Sequence, residues 1–246
     1  MAEDLSILIR KANAPDLTVT YGSSPDQVGD IRYGERGAQL PLAILIHGGF
    51  WKTRYDRAHV EAMSSARAAA GWTVLTLEYR RIPGVPGATL QDIAAALESL
   101  PATVEKQNGK MVLVGHSAGG HLALWAAVKC ATPALQGVVA LAPAADLRLA
   151  HKLHLGHGAV RRFLGTVPVK RPDVDPMQLP APAVAVTIIQ GSRDEVVPPE
   201  VSESYCSAFA QTRLVQLPET GHFALIDPRS GAWPIVIEEL RKLSEA

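Results

Sequence analysis

Cysteine is scarce in this sequence. Cys130 and Cys206 are the only two among 246 residues, and they lie far apart with no C-x-x-C pair. That excludes a disulfide framework and fits a reducing compartment, with both thiols read as small hydrophobes in helical segments. A charge excess is also lacking: Lys+Arg and Asp+Glu are both 24. Neither nucleic acid nor an anionic membrane surface is therefore expected as a partner. No apolar run approaches membrane-spanning length, and the opening MAEDLSILIRK is acidic first and too briefly apolar for a signal peptide. Internal repeats and low-complexity tracts are missing too. These absences predict a cytoplasmic protein. What remains is a chain that is 47% hydrophobic, enough for one sizeable core, and a single domain over 1–246 is expected.

Residues 1–16 read as a short amphipathic segment. Leu17 to Tyr21 and Val28 to Tyr33 read as two early strands forming an antiparallel edge. From Pro41 onward short apolar runs alternate with helical patterns. Strands are predicted at 41–46, 73–78, 111–114, 137–141, 184–190 and 213–217. Helices are predicted over 57–70, 89–100 (capped by Thr89, with Asp92 suited to the dipole), 121–128, 199–211 and 232–244. Such alternation implies an α/β fold, with a mostly parallel central sheet and helices on both faces. Residues 147–182 break the rhythm and read as a small lid insertion carrying one or two short helices.

The chemistry centres on Gly115-His116-Ser117-Ala118-Gly119, a G-x-S-x-G turn between a buried strand and an Ala/Leu-rich helix. A turn this tight leaves no room for flanking side chains, hence the two glycines. It lifts the Ser117 hydroxyl off the sheet and sets a helix N-terminus beside any developing oxyanion. The plainer alternative is a turn serine that caps a helix. A serine nucleophile needs a base, and that base needs an acid to orient it. In the chain order serine, acid, histidine, the fitting residues are Ser117, Asp194 and His222, with Asp146 as a second acid. His47-Gly48-Gly49 ends another buried strand and reads as an oxyanion loop. Of the other histidines, His47 and His116 are expected to brace turns, His121 to pack, and His59 to lie exposed on a helix. His151, His154 and His157 have a suggestive spacing, but no cysteine accompanies them and Gly156 and Gly158 weaken a helix there, so no metal is expected.

Together these residues resemble the α/β-hydrolase superfamily over about residues 20–246. His47-Gly48-Gly49-Phe50-Trp51 is similar to the HGGxW motif of kynurenine formamidases (arylformamidases) and to the HGGG loop of hormone-sensitive-lipase-like carboxylesterases. Gly115 to Gly120 resembles the nucleophile motif of both groups. Glu78 to Pro83, with Asp92, resembles their structural YRL-x-P…D segment. The resemblance implies a triad of Ser117, Asp194 and His222, and oxyanion donors from the N–H groups of Gly49, Phe50 and Ala118. Phe50 stands where the esterase loop has its third glycine, and with Trp51 it is expected to wall the substrate pocket.

The resulting expectation is a cofactor-free serine hydrolase acting on a small acyl ester or an N-formyl aryl amide, with water as second substrate. Alternatives are a peptidase- or thioesterase-like hydrolase using the same triad, or a non-catalytic small-molecule-binding protein on this fold. A homodimer is left open.

Overall fold

A computed structural model of the chain describes residues 4–244. The first two strands, β1 (Leu17–Thr20) and β2 (Val28–Arg32), pair antiparallel. Then come β3 (Leu42–Ile46), β4 (Val74–Leu77), β5 (Met111–His116), β6 (Leu135–Leu141), β7 (Ala185–Gly191) and β8 (Arg213–Leu217). They form one sheet in the order β1-β2-β4-β3-β5-β6-β7-β8, antiparallel at the β1-β2-β4 edge and parallel from β4 through β8. The mostly parallel sheet with an antiparallel edge is as the sequence predicts.

The inner strands are mostly apolar because both of their faces are covered, β3 entirely so. Leu42, Ile44, Ile46, Met111 and Leu113 enter one core, while Ala43, Leu45, Val112 and Val114 enter the other. Each such Leu, Ile or Val contributes about 1.5–3 kcal/mol relative to its exposed state. Helices α2 (Pro86–Ser99), α3 (Ala118–Lys129) and α6 (Pro199–Ala208) cover the first face. Helices α1 (Glu61–Ala69) and α7 (Trp233–Ser244) cover the second. No described helix is long and apolar enough to cross a membrane.

Some predicted boundaries move. Thr89 does not cap its helix: α2 starts at Pro86, whose locked φ and missing N–H suit a first turn. Thr89 Oγ1 instead donates to the Arg80 carbonyl at 2.6 Å. Asp92 serves no helix dipole; from the second turn it accepts the Arg80 guanidinium (Nη2, 2.6 Å) and backbone N–H (2.9 Å). Residues 57–60 form a 3-10 turn before α1, and the N-terminal segment folds as a 3-10 turn over Leu5–Ile9. Cys130 and Cys206 are free and half-buried, and burial pushes both thiols up to about 11.

Between β6 and β7 the chain forms α4 (Leu147–Lys152) and α5 (Leu155–Leu164), then two 3-10 turns at 168–170 and 176–178. Gly156, His157 and Gly158 are left-handed and kink α5 near its start. Asp175 ties the ends of this segment: its Oδ1 accepts from the N–H groups of Leu147 (3.3 Å) and Met177 (3.2 Å). Its Oδ2 has no partner among the described residues, and burial raises its pKa to about 6. A carboxyl that holds its proton more tightly folded than unfolded costs stability as pH rises from about 4 through about 6. Asp175→Asn keeps the acceptor and removes that charge. It is expected to be more stable than the parent by about 2–3 kcal/mol at pH 7, the gap closing as pH falls toward 4. Thermal unfolding across that range checks it, and a gap that is absent at pH 7 or independent of pH contradicts it.

Candidate active site

β5 delivers the chain into Ser117, which sits at φ 57°, ψ −118°, and α3 begins at the next residue. Such a backbone is strained for a residue with a Cβ and persists only because its surroundings over-determine it. A Cβ on Gly119 would stand 2.1 Å from the Ile46 carbonyl oxygen, and one on Gly115 would stand 2.2 Å from that of Gly119. Ser117 donates its N–H to Leu141 (2.8 Å), and its carbonyl accepts from Ala144 and His121 (both 3.1 Å). The elbow is thus pinned to β3 and β6 together.

Asp194 and His222 leave the same carboxyl edge of the sheet, after β7 and β8. The two loops interlock, since a Cβ on Gly191 would meet the Thr220 carbonyl oxygen at 2.2 Å and Arg193 N–H donates to that oxygen at 3.0 Å. His222 Nδ1 lies 2.6 Å from Asp194 Oδ2. Asp194 Oδ1 accepts from Val196 (2.9 Å) and Val197 (2.8 Å), and Gln190 Nε2 donates to Oδ2 at 3.2 Å. Both side chains are buried. His116 lies beneath His222, with ring centroids 4.4 Å apart and Nε2 3.3 Å from the His222 carbonyl. Burial, then the His222 and His59 charges, hold the His116 pKa well below that of an ordinary imidazole, so it braces as a neutral ring.

Asp146, the second acid candidate, is engaged elsewhere. It caps α4 through the Leu149 N–H (2.8 Å) and accepts from Ser204 Oγ (2.7 Å). Glu195 is exposed.

After β3 the chain turns through Gly49, Phe50 and Trp51, all with positive φ (105°, 52° and 53°), and closes with Lys52 N–H on the Gly49 carbonyl (3.0 Å). Two bulky left-handed residues in succession need outside support. Trp51 obtains it by stacking on Phe163 of α5 (4.6 Å, 9°) and meeting His121 edge-on (5.2 Å). His47 anchors the other end. Its Nδ1 faces the Gly48 carbonyl at 2.8 Å, its Nε2 faces Glu78 Oε1 at 3.0 Å, and Tyr79 stacks on it (4.4 Å) while donating to its carbonyl (2.8 Å). Burial would raise the Glu78 pKa, but His47 and Arg81 hold it near 2. None of the hydrogen bonds among the described residues uses the N–H groups of Gly49, Phe50 or Ala118. Ala118 is the first residue of α3, where an N–H has no intrahelical acceptor.

Ser117, His222, Gly49 and Phe50 line one cavity of about 210 Å³. Trp51 does not reach it. Its stacked ring lines an adjoining cavity, which shares Phe50, Lys52 and Arg54 with this one. His59 is a correction. Expected to be exposed, it is buried and lines the Ser117 cavity, because the 3-10 turn before α1 points it inward against Tyr55, His116 and Phe223. Burial, then His47 and His222, push its pKa to about 3. His157, weighed in the sequence only as a metal ligand, also lines the cavity, as do Leu8, Tyr55 and Val196, which escaped the sequence reading. Of these last three only Val196 had a signal, two residues beyond Asp194. Among the described residues no three His, Cys, Asp or Glu side chains converge as a metal site requires.

Chemically, a hydroxyl and an imidazole share a small cavity, a buried carboxylate orients the imidazole, and the N–H groups of Gly49, Phe50 and Ala118 carry no hydrogen bond among the described residues. Residues 30–209 match the family model described as BD-FAE. The chain is similar to esterase LipC of Mycobacterium tuberculosis, with 28% identity over 241 residues covering 85% of this chain and 60% of that protein. It is also similar to an acetyl-hydrolase of Streptomyces hygroscopicus, with 33% identity over 134 residues covering 52% of this chain and 44% of that one. The chain therefore spans about three fifths or less of these curated relatives. Among solved structures it is similar in fold to a truncated carbohydrate esterase from gut microbiota (TM-score 0.77, 18% identity, 95% of this chain and 100% of that one). Esterase B of Lactobacillus rhamnosis is similar as well (TM-score 0.75, 20% identity, 96% and 88%).

Proposed function

Because this chain belongs to the BD-FAE family and carries its sheet in the α/β-hydrolase order, we propose that it is a serine ester hydrolase for small acyl groups. The placement of Ser117 and His222 on one cavity, with Asp194 2.6 Å behind the imidazole, carries the proposal. Ser117 Oγ attacks the ester carbonyl and His222 takes its proton. The resulting oxyanion is held by the N–H groups of Gly49, Phe50 and Ala118. His222 then protonates the departing alkoxide, leaving acyl-Ser117. A water attacks that ester with His222 again as base, releasing the acid and restoring the hydroxyl. The charge of Asp194 stabilises the imidazolium in both halves.

Short acyl groups are favoured because about 210 Å³ is small for a ligand pocket and Phe50 narrows it. The curated relatives named as esterase and acetyl-hydrolase point to esters. An N-formyl aryl amide is the second reading, favoured by Phe50 and Trp51 directly after His47-Gly48-Gly49. The segment 147–182 acts as the lid of a single domain, a role supported by the stacking of Phe163 on Trp51. Two free thiols support the cytoplasm as its compartment.

The test sets 4-nitrophenyl acetate, 4-nitrophenyl butyrate, an acyl thioester and N-formylkynurenine side by side, with fluorophosphonate labelling read by mass spectrometry. The expected result is turnover of acetate and butyrate above the other two, and one adduct, on Ser117. Faster cleavage of N-formylkynurenine selects the second reading. No turnover of any substrate together with no adduct overturns both.

A further inference from the structure

The chain carries equal numbers of acidic and basic residues, yet the approach to Ser117 is one-sided. The Ser117 cavity shares Phe50, Lys52 and Arg54 with the adjoining one of about 240 Å³, which Arg162 of α5 also lines. No Asp or Glu lines either cavity. Among the described residues none of these three cations forms an ion pair with a carboxylate. Lys52 Nζ donates to the Gly156 carbonyl (3.0 Å) and Arg54 Nη2 to the Tyr55 hydroxyl (2.8 Å). Several arginines elsewhere do have such a partner, among them Arg80 with Asp92, Arg81 with Glu78, Arg171 with Asp173 and Arg213 with Glu239. The Lys52 pKa is lowered by burial and then by Arg54 and Arg162, so the charges acting on this ammonium are of its own sign. Between the cations the second cavity is walled by Phe50, Trp51, Pro83 and Phe163. Apolar walls with a cationic rim suit a short hydrocarbon or aromatic body that ends in an anion.

We infer that the preferred substrates are esters bearing a carboxylate at the end remote from the scissile bond, with Lys52, Arg54 and Arg162 receiving that carboxylate. This rests on the ester-hydrolase reading of Ser117. The carboxylate can belong to the acyl or to the alcohol half, and two isosteric pairs separate these. Mono-4-nitrophenyl glutarate against 4-nitrophenyl valerate places the charge on the acyl half. 4-Acetoxybenzoate against its methyl ester places it on the alcohol half.

After subtraction of uncatalysed hydrolysis, kcat/KM for the anionic member of one pair is expected to exceed its neutral partner by about tenfold at low salt. The ratio falls toward one as NaCl rises from about 10 mM to about 500 mM, because exposed charges are screened. In Arg54→Ala/Arg162→Ala the low-salt ratio collapses through KM, and in Arg162→Glu it falls further. Both arginines are exposed, so folding is not at stake, and the salt titration needs no variant. Ratios of one or less in both pairs, or a preference indifferent to salt and to both variants, overturn the inference while neutral-ester turnover leaves the hydrolase reading intact. Turnover of none of the four esters takes both down.

Discussion

Ser117→Ala is expected to lower 4-nitrophenyl acetate turnover by roughly a hundred-thousandfold to a millionfold, and to abolish fluorophosphonate labelling. The loss is this large because every covalent step passes through that oxygen; the remaining donors then act only on attack by water. The protein should stay folded. Ser117 holds its place through backbone bonds to Leu141, Ala144 and His121, and alanine retains the Cβ that already fits beneath Gly48. A melting temperature within a few degrees of the parent is therefore expected. A variant that folds and keeps more than about one part in a thousand of the activity would place the nucleophile elsewhere.

Asp194→Asn is expected to lower kcat by about ten-thousandfold with little change in KM. Asp194 accepts four hydrogen bonds: from Val196 and Val197 on Oδ1, and from His222 and Gln190 on Oδ2. An asparagine can place its oxygen on only one side. If the oxygen keeps the two valine N–H groups, its amide points donors at His222 and Gln190. His222 must then present an unprotonated Nδ1 and carry its hydrogen on Nε2, the tautomer that cannot accept from Ser117. If the amide turns over, two backbone N–H groups lose their acceptor at about 1–3 kcal/mol each. Asp146→Asn is the control, since that carboxylate caps α4 and touches Ser204 instead. Its turnover should stay within a few-fold of the parent. Steady-state kinetics on the two variants discriminates the acids, and equal losses would contradict the assignment.

Much of this architecture was legible because it is local. The all-apolar runs of β3 and β5 mark strands buried on two faces, and glycines flank Ser117 because neighbouring backbones lie within 2.2 Å of where their side chains would be. Asp194 and His222 could be singled out by their positions just past strand ends. What escaped depends on distant contacts. His59 looks like any histidine on a polar turn, and only the approach of residues 116 and 223 buries it. Leu8 reaches the cavity because the N-terminal turn packs on residues 57–60 and 223–226, a contact without local signature. Trp51 walls the adjoining cavity and not the one at Ser117, because Phe163, more than a hundred residues later, stacks on its face. The start of α2 differs from Thr89 for a simpler reason: Pro83, Gly84, Pro86 and Gly87 read as a loop, although proline at a first helical turn is favourable.

The segment 147–182 and the loop after β3 meet at two rings. Phe163 lies flat on Trp51, and a side chain on Gly156 would fall 2.8 Å from Phe50 Cγ. A descendant that accepts bulkier acids by remodelling positions 156 or 163 would, in the same step, disturb the peptide groups at 50 and 51. Diversification in this lineage should therefore proceed by paired exchanges, with 50 and 51 changing in company with 156 and 163, while drift at either pair alone is purged.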